Sequence, residues 1–90
     1  MTPEAKVKAS VVKLLKKHNI YYFFPATHGY GRSGVPDIIC CFNSLFLAIE
    51  CKAKKGKPSI EQVEFLARVK RLGGISILAY SLDDVIREVL

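Results

Sequence analysis

Residues 36–52 read PDIICCFNSLFLAIECK. This segment holds two runs that are apolar almost throughout, as is typical of strands covered on both faces, and only Asn43-Ser44 separates them. The pattern predicts strands over Asp37–Phe42 and Leu45–Ala53, joined by the two-residue loop into an antiparallel hairpin. Charged residues stand at the open end of this hairpin, where burial beside apolar neighbours is costly unless a partner is present.

The short loop fixes the register of the predicted hairpin. Counting outward from it places Asp37 directly opposite Glu50, so that both side chains point to one face with their Cβ atoms about 5 Å apart. Lys52 shares that face because it lies two residues beyond Glu50. Two carboxylates this close repel each other unless a cation intervenes, and oxygen ligands favour Mg²⁺ or Mn²⁺ over zinc.

These groups suit metal-dependent cleavage of a phosphodiester. A metal held by Asp37, Glu50 and the carbonyl oxygen of Cys51 could polarise a phosphate and lower the pKa of a bound water. Lys52 could orient or deprotonate that water, or balance charge that develops on the phosphorane. A cross-strand salt bridge without chemistry is the alternative, and spacing alone does not separate the two.

The flanking sequence predicts the remaining elements. Thr2-Pro3 opens a first helix that ends near Asn19, because a hydroxyl cap followed by proline is a typical helix start. The segments that follow are a strand over residues 20–24, a glycine-rich loop over 27–35, a helix over 59–72 with the apolar stripe Val63, Leu66, Val69 and Leu72, a strand over 75–80 and a final helix capped by Ser81. The helix between the third and fourth strands is a crossover that sets those strands parallel. The predicted fold is α/β, a small mixed sheet with helices on both faces in the order αβββαβα.

Composition limits the class of protein. The length fits one small domain, residues 1–90. Half of the residues are hydrophobic and the mean hydropathy is +0.20, which is more apolar surface than so small a core should bury and favours a self-association face. The formal charge of +6 and the pI of about 9.4 favour a polyanionic partner such as nucleic acid.

A membrane partner is the weaker alternative, because the basic residues are spread over several segments and no run of ~18 apolar residues could span a bilayer. The N-terminus has no signal-peptide pattern, and we expect a cytoplasmic protein. Cys40, Cys41 and Cys51 are an odd number, and adjacent strand residues point to opposite faces, so the expected role is apolar filling in a reducing compartment.

Three segments together resemble the VRR-NUC family of the PD-(D/E)XK nuclease superfamily. They are GRSGVPD at residues 31–37, IECK at 49–52 and SIEQ at 59–62, and the resemblance runs from Glu4 to about Tyr80. It implies a restriction-endonuclease-like core in which Asp37, Glu50 and the Cys51 carbonyl bind metal and Lys52 serves the attacking water. The Val-Arg-Arg step that names the family has no literal match, and Ala67-Arg68-Val69 lies where it would be sought.

The resemblance adds two residues to the candidate site. The family carries an acidic residue in the first helix and a glutamine in the helix after the E-x-K strand, which correspond to Glu4 and Gln62. Glu4 also suits the first turn of a helix, yet it continues the core-facing stripe of Val7 and Val11. Gln62 also completes a capping box with Ser59, and the two roles are compatible.

Small stand-alone members of this family look like homodimeric, phage-type Holliday junction resolvases. The resemblance therefore implies a Mg²⁺-dependent DNA endonuclease that acts on four-way junctions as a homodimer, inside the host cytoplasm if phage-encoded. A flap or duplex nuclease of the same fold, or a basic nucleic-acid-binding module without catalysis, remains open as an alternative.

Two basic segments are candidate DNA contacts. Residues 29–34 spell G-x-G-x-x-G, but a strand follows instead of a helix, so no nucleotide cofactor is expected. Arg32 could contact a phosphate and Tyr30 could stack on a base. The exposed run with Lys54, Lys55 and Lys57 leaves the active-site strand directly, and phosphate neutralisation and a merely solvated loop are about equally good interpretations.

Overall fold

The computed structural model describes residues 1–26 and 33–90 of the chain. Three helices and four strands follow one another in the order that the sequence predicts. They are α1 (Pro3–Lys17), β1 (Tyr21–Phe23), β2 (Ile38–Phe42), β3 (Leu45–Cys51), α2 (Ile60–Arg71), β4 (Ile75–Ala79) and α3 (Leu82–Val89). The predicted αβββαβα order is confirmed.

The hairpin of β2 and β3 has the predicted register. Phe42 pairs with Leu45 and the pairing continues to Ile38 opposite Ile49. Asn43 and Ser44 both have positive φ angles, 50° and 66°, which is the backbone of a two-residue turn that matches the twist of the strands.

The strands are shorter than predicted at the open end of the hairpin. β2 begins at Ile38 instead of Asp37, and β3 ends at Cys51 instead of Ala53. The reason is local: the Asp37 N–H donates to a side chain, and the Lys52 N–H donates to the Ala79 carbonyl of β4 at 2.9 Å. The backbone there leaves the antiparallel ladder.

The sheet has the strand order β1-β2-β3-β4 and is mixed. β1 and β2 are antiparallel with Tyr21 opposite Cys41, whereas β3 and β4 are parallel with Cys51 beside Ala79. The prediction that α2 is a crossover between parallel strands is therefore confirmed. Because β3 and β4 run in parallel, the residues that follow them meet at one edge of the sheet.

The hydrophobic core lies on one face of the sheet, between the strands and the two outer helices. Alternate residues of β2 and β3 face α1 and α3 there, as the two-residue period of a strand requires. The fully buried members include Val11, Leu15, Ile38, Leu47, Ile49 and Val85. Each such side chain contributes roughly 1.5–3 kcal/mol through burial.

The opposite face of the sheet is covered by α2, which packs mainly over β3 and β4. The predicted apolar stripe of α2 is only partly covered: Leu66 and Val69 are half-buried, but Val63 and Leu72 are 50 % and 77 % exposed. Nothing in the described part of the chain covers the outer side of α2, so part of this stripe is exposed to solvent. Helices on both faces are confirmed.

The helix ends follow the local sequence. Thr2 Oγ1 accepts the Ala5 N–H at 3.1 Å, and Asn19 after α1 has the left-handed φ of 54° expected of a helix terminator. Asp84 accepts the backbone N–H groups of Tyr80 and Ser81 at the start of α3. Within residues 1–26 and 33–90, no helix is both long and apolar enough to cross a bilayer.

All three cysteines carry free thiols. Cys40 and Cys51 are buried in the core, and burial raises the pKa of Cys40 to about 11 and that of Cys51 to about 12, so both remain protonated. Cys41 is exposed on the other face of the sheet. The expected filling role fits Cys40 and Cys51 and does not fit Cys41.

Candidate active site

Asp37 and Glu50 are held together at the open end of the hairpin by reciprocal hydrogen bonds. Glu50 Oε1 accepts the Asp37 N–H at 3.2 Å, and Asp37 Oδ2 accepts the Cys51 N–H at 3.0 Å. Each carboxylate therefore accepts a hydrogen bond from the backbone on the other side of the hairpin, just beyond the last ladder pair of Ile38 and Ile49. This is the opposition that counting from the turn predicts.

Glu50 is the buried charge of the site. It is 2 % exposed, and no other charged residue in the described part of the chain is buried. Burial raises the pKa of Glu50, the Asp37 charge raises it further, and the hydrogen bond and charge of Lys52 oppose both. The net direction is upward, so the environment of Glu50 supplies too little positive charge.

Lys52 lies against Glu50, as the two-residue period predicts. Its Nζ is 3.1 Å from Glu50 Oε2, and its side chain is 15 % exposed. Burial lowers the pKa of Lys52, but the hydrogen bond to Glu50 and the charges of Glu50, Glu4 and Asp37 outweigh this effect and raise it overall. Lys52 is therefore an ammonium ion at neutral pH, which suits it to orient a water or balance negative charge and not to accept a proton.

Gln62 joins α2 to the site. Its Nε2 donates to Glu50 Oε2 at 3.0 Å, while its Oε1 accepts the Ser59 N–H at 2.8 Å. Ser59 Oγ in turn accepts the Gln62 N–H at 3.1 Å, which completes the capping box. The cap thus fixes the orientation of the Gln62 amide, which caps α2 and contacts Glu50 at the same time.

Glu4 lies near the site without binding any of its side chains in the described structure. Its charge contributes to the raised pKa values of Lys52 and Cys51. The prediction that the buried stripe of α1 extends to Glu4 is wrong: Val11 is buried, Val7 is half-buried and Glu4 is exposed. Burial declines along α1 towards its first turn, which leaves the carboxylate in solvent.

The lysine run follows β3 and is anchored from β4. Lys54, Lys55 and Lys57 are all exposed, and the Gly56 carbonyl between them accepts the Tyr80 hydroxyl at 3.0 Å. Sequence reasoning missed Tyr80. Its signal was its position after a strand parallel to β3, where the following residues reach the same edge of the sheet.

Sequence reasoning also missed a close contact at Gly34, which holds the segment before Asp37 against the first turn of α2. Gly34 has a φ of 76°, and a Cβ built there would lie 2.4 Å from the carbonyl carbon of Glu61. No other residue fits so close to the first turn of α2. The predicted DNA contacts Tyr30 and Arg32 lie outside the described residues.

Comparison with solved structures gives a match over nearly the whole chain. A structure described as "VRR_NUC domain protein" superposes with a TM-score of 0.72, covering 96 % of this chain and 84 % of that one at 19 % sequence identity. The chain has the fold of a VRR-NUC domain. No protein-family profile matches the sequence, and no curated protein matches it.

Nucleases with this fold usually use a divalent metal, and the oxygen donors of this site can be compared with what such a metal needs. Residues 1–26 and 33–90 contain no cluster of three or more His, Cys, Asp or Glu side chains arranged to hold a metal. The site offers two carboxylates, Asp37 and Glu50, with the Cys51 carbonyl beside them. An all-oxygen set whose buried carboxylate has a raised pKa fits a hard cation.

Proposed function

We propose that the protein is a Mg²⁺-dependent DNA endonuclease, with Mn²⁺ as a working substitute. The observation that carries the proposal is the reciprocal pairing of Asp37 with Glu50 beside Lys52. A module that only bound nucleic acid would gain nothing from a buried carboxylate that repels phosphate and costs desolvation free energy. The VRR-NUC fold supports the same reading.

Asp37, Glu50 and the Cys51 carbonyl would hold the cation. When bound, the cation supplies a Lewis acid for the phosphate and lowers the pKa of its water. The protein supplies the positioning: Gln62 holds the Glu50 carboxylate, and the Lys52 ammonium stands ready to balance charge on the phosphorane. Glu4, exposed in the first turn of α1, adds negative charge that favours a cation.

Basic residues beyond the cluster would bind the DNA backbone. The lysine run begins two residues after Lys52, so phosphates bound there would lie close to the cluster. Tyr30 and Arg32 are further candidates on the chain that leads to Asp37. The net charge of +6 would draw the whole domain to a polyanion.

We propose a four-way junction as substrate and a homodimer as the active particle, because two sites in one particle suit paired nicks. Flap and duplex DNA are the competing substrates. We also propose a cytoplasmic location, since the free thiols fit a reducing compartment.

The test offers the purified protein four matched substrates with Mg²⁺: a four-way junction, a flap, a linear duplex and a single strand. Asp37→Asn removes the site carboxylate, and Asp83→Asn is the matched control because it removes an exposed carboxylate at the start of α3. We expect symmetric nicks at the junction for the wild type and for Asp83→Asn, and none for Asp37→Asn. Full activity of Asp37→Asn, or no cleavage of any substrate with Mg²⁺ or Mn²⁺, would contradict the proposal that the protein is a nuclease.

A further inference from the structure

The sheet face that carries Glu50 is only partly covered in the described part of the chain: Ile39 is buried there, but the neighbouring residues towards the turn of the hairpin are exposed. Tyr21, Cys41 and Phe46 lie side by side across three strands in the observed register, and all three are exposed on this face. Phe23 lies two residues along from Tyr21 on the same face. Tyr21 is 71 % exposed, and Phe23 and Phe46 are each 48 % exposed. We call these four residues the open half-face.

A groove continues the open half-face towards α2. It encloses about 960 Å³ and is lined by Phe46, Phe65 and Leu72 together with the outer side of the helix. Leu72 is 77 % exposed. Exposed apolar surface of this extent in a small domain is typical of an interaction site.

The outer side of α2 carries an ordered stripe of charges. Glu61, Glu64, Arg68 and Arg71 are spaced by three, four and three residues, which keeps them on one side of the helix, and all four line the groove. The two acids come first and the two bases last. Within residues 1–26 and 33–90, none of the four makes an ion pair with another residue.

This charge order is complementary to itself. When two copies of α2 lie antiparallel, Glu61 meets Arg71 of the other copy and Glu64 meets Arg68, and a two-fold axis makes each pair twice. Two parallel copies would oppose like charges. DNA would meet Glu61 and Glu64 on this surface, which disfavours a nucleic acid as its occupant.

We propose that the open half-face and the α2 stripe form an isologous interface with a second copy of this chain, in which the two α2 helices run antiparallel. A stable interface buries about 800 Å² per partner, roughly an eighth of the 6081 Å² surface of this domain. The three aromatic side chains supply roughly 300 Å² of that area at ~200 Å² for each fully exposed ring. The groove and the stripe extend it.

The inference rests on the proposed function in one respect, because the dimer would provide the two sites that paired nicks need. The surface itself is argued from exposure and charge alone. A dimer without cleavage activity would support the interface and contradict the proposed function. An active monomer would support the function and contradict the interface.

The sharpest test uses charge reversal and remixing. Glu64→Arg gives a copy whose stripe opposes Arg68 of its twin, and Arg68→Glu gives the converse repulsion, so each variant alone should lose at least about tenfold in dimer affinity. In an equimolar mixture, each contact between positions 64 and 68 of the two different chains again joins opposite charges. The heterodimer should therefore form. Glu88→Arg is the matched control, because it reverses an exposed helix charge outside the stripe.

Sedimentation equilibrium measures the mass directly. We expect twice the 10.0 kDa chain mass for the wild type and for Glu88→Arg, a monomer for each single reversal, and recovery of the dimer on mixing. Circular dichroism checks that each variant is folded. A monomeric wild type at about 100 µM, or single reversals that leave the mass unchanged, would overturn the proposal.

A further pair of variants separates a protein partner from a nucleic acid. Tyr21→Ser and Phe46→Ser remove apolar area from the open half-face without altering charge. We expect both to weaken the dimer at least about tenfold, since each ring buries apolar surface at the interface. If they leave the dimer intact and abolish DNA binding instead, the open half-face is a base-stacking platform and the proposed interface is wrong.

Discussion

Glu50 makes more side-chain contacts with the candidate site than any other residue described there. Three donors reach its carboxylate: the Asp37 N–H, the Gln62 amide and the Lys52 ammonium. Despite these donors, burial and the Asp37 charge raise its pKa. A buried carboxylate with a shifted pKa is typical of functional sites, which agrees with the proposed cation site.

The raised pKa of Glu50 predicts a pH dependence for the metal-free protein. Because the folded pKa lies above the ordinary value of 4.5, the folded state binds the proton more tightly than the unfolded state does. The contribution of Glu50 to the free energy of unfolding is therefore most favourable below the unfolded pKa, and it is lost as pH rises through the folded pKa.

We therefore expect Glu50→Gln, measured in EDTA, to gain stability relative to the wild type as pH rises from below the ordinary pKa of 4.5 through the raised folded pKa. Urea unfolding at each pH gives the difference. Added Mg²⁺ should stabilise the wild type at pH 7 and leave Glu50→Gln unchanged. A stability difference independent of pH would contradict the assigned direction of the shift.

Substitutions at Gln62 and Ser59 distinguish the effect of the helix cap from the effect of the contact with Glu50. Gln62→Ala removes the hydrogen bond to Glu50 as well as half of the capping box, whereas Ser59→Ala removes only the acceptor for the Gln62 N–H. Each change should cost about 1 kcal/mol of unfolding free energy through the cap.

We expect only Gln62→Ala to lower the cleavage rate as well, because it leaves Glu50 with one donor fewer. Single-turnover cleavage measures the rate, and guanidinium unfolding measures the stability. Equal cleavage rates in the two variants would restrict Gln62 to its capping role.

At the scale of the elements, the hairpin was predictable and the placement of α2 was not. Asn43-Ser44 fixes the register locally, and simple counting from the turn then reaches Asp37 and Glu50. The contact of Gln62 with Glu50 depends on how α2 packs over β3, which no local pattern encodes, so only the family resemblance pointed to Gln62. Periodicity likewise identifies the apolar stripe of α2 but not what covers it, so the exposure of Val63 and Leu72 could not be predicted.

The close contact between Gly34 and the first turn of α2 can be tested by substitution. Gly34→Ala would force a Cβ against the Glu61 backbone at 2.4 Å and strain a φ of 76°. Gly73→Ala is the matched control, since Gly73 has a φ of 96° but nothing within 4 Å of its Cβ position.

We expect Gly73→Ala to cost about 1 kcal/mol through backbone strain alone. Gly34→Ala should cost clearly more, because the chain must also move away from α2. Urea unfolding compares the two. A cost at Gly34 no greater than at Gly73 would mean that this close approach contributes nothing to stability.

The lysine run makes a quantitative prediction about salt. If Lys54, Lys55 and Lys57 each neutralise one phosphate, replacing all three by alanine should reduce the slope of log affinity against log salt by about 3. The matched control replaces Lys13, Lys16 and Lys17, three exposed lysines of α1. Fluorescence anisotropy at several salt concentrations gives both slopes, and equal losses in the two variants would indicate nonspecific charge.

At the scale of the whole molecule, a heterodimer with one inactivated site tests the proposed interface and the proposed cleavage together. Mixing Glu64→Arg chains with Arg68→Glu chains should yield heterodimers, so that one protomer can also carry Asp37→Asn. Such a particle keeps one complete site. On a supercoiled plasmid that extrudes a cruciform, two sites acting in one encounter give linear DNA, whereas one site gives a nicked circle.

We expect the unmodified heterodimer to produce mainly linear plasmid and the half-inactivated heterodimer to stop at the nicked circle. Agarose gels of a time course resolve the two products. The result depends on the dimer because separate monomers would nick independently, and linear DNA would then arise slowly through a released nicked intermediate. If the unmodified heterodimer linearises the plasmid only slowly in this way, the proposed cleavage stands. The proposal that the two sites of one dimer cut together would then be wrong.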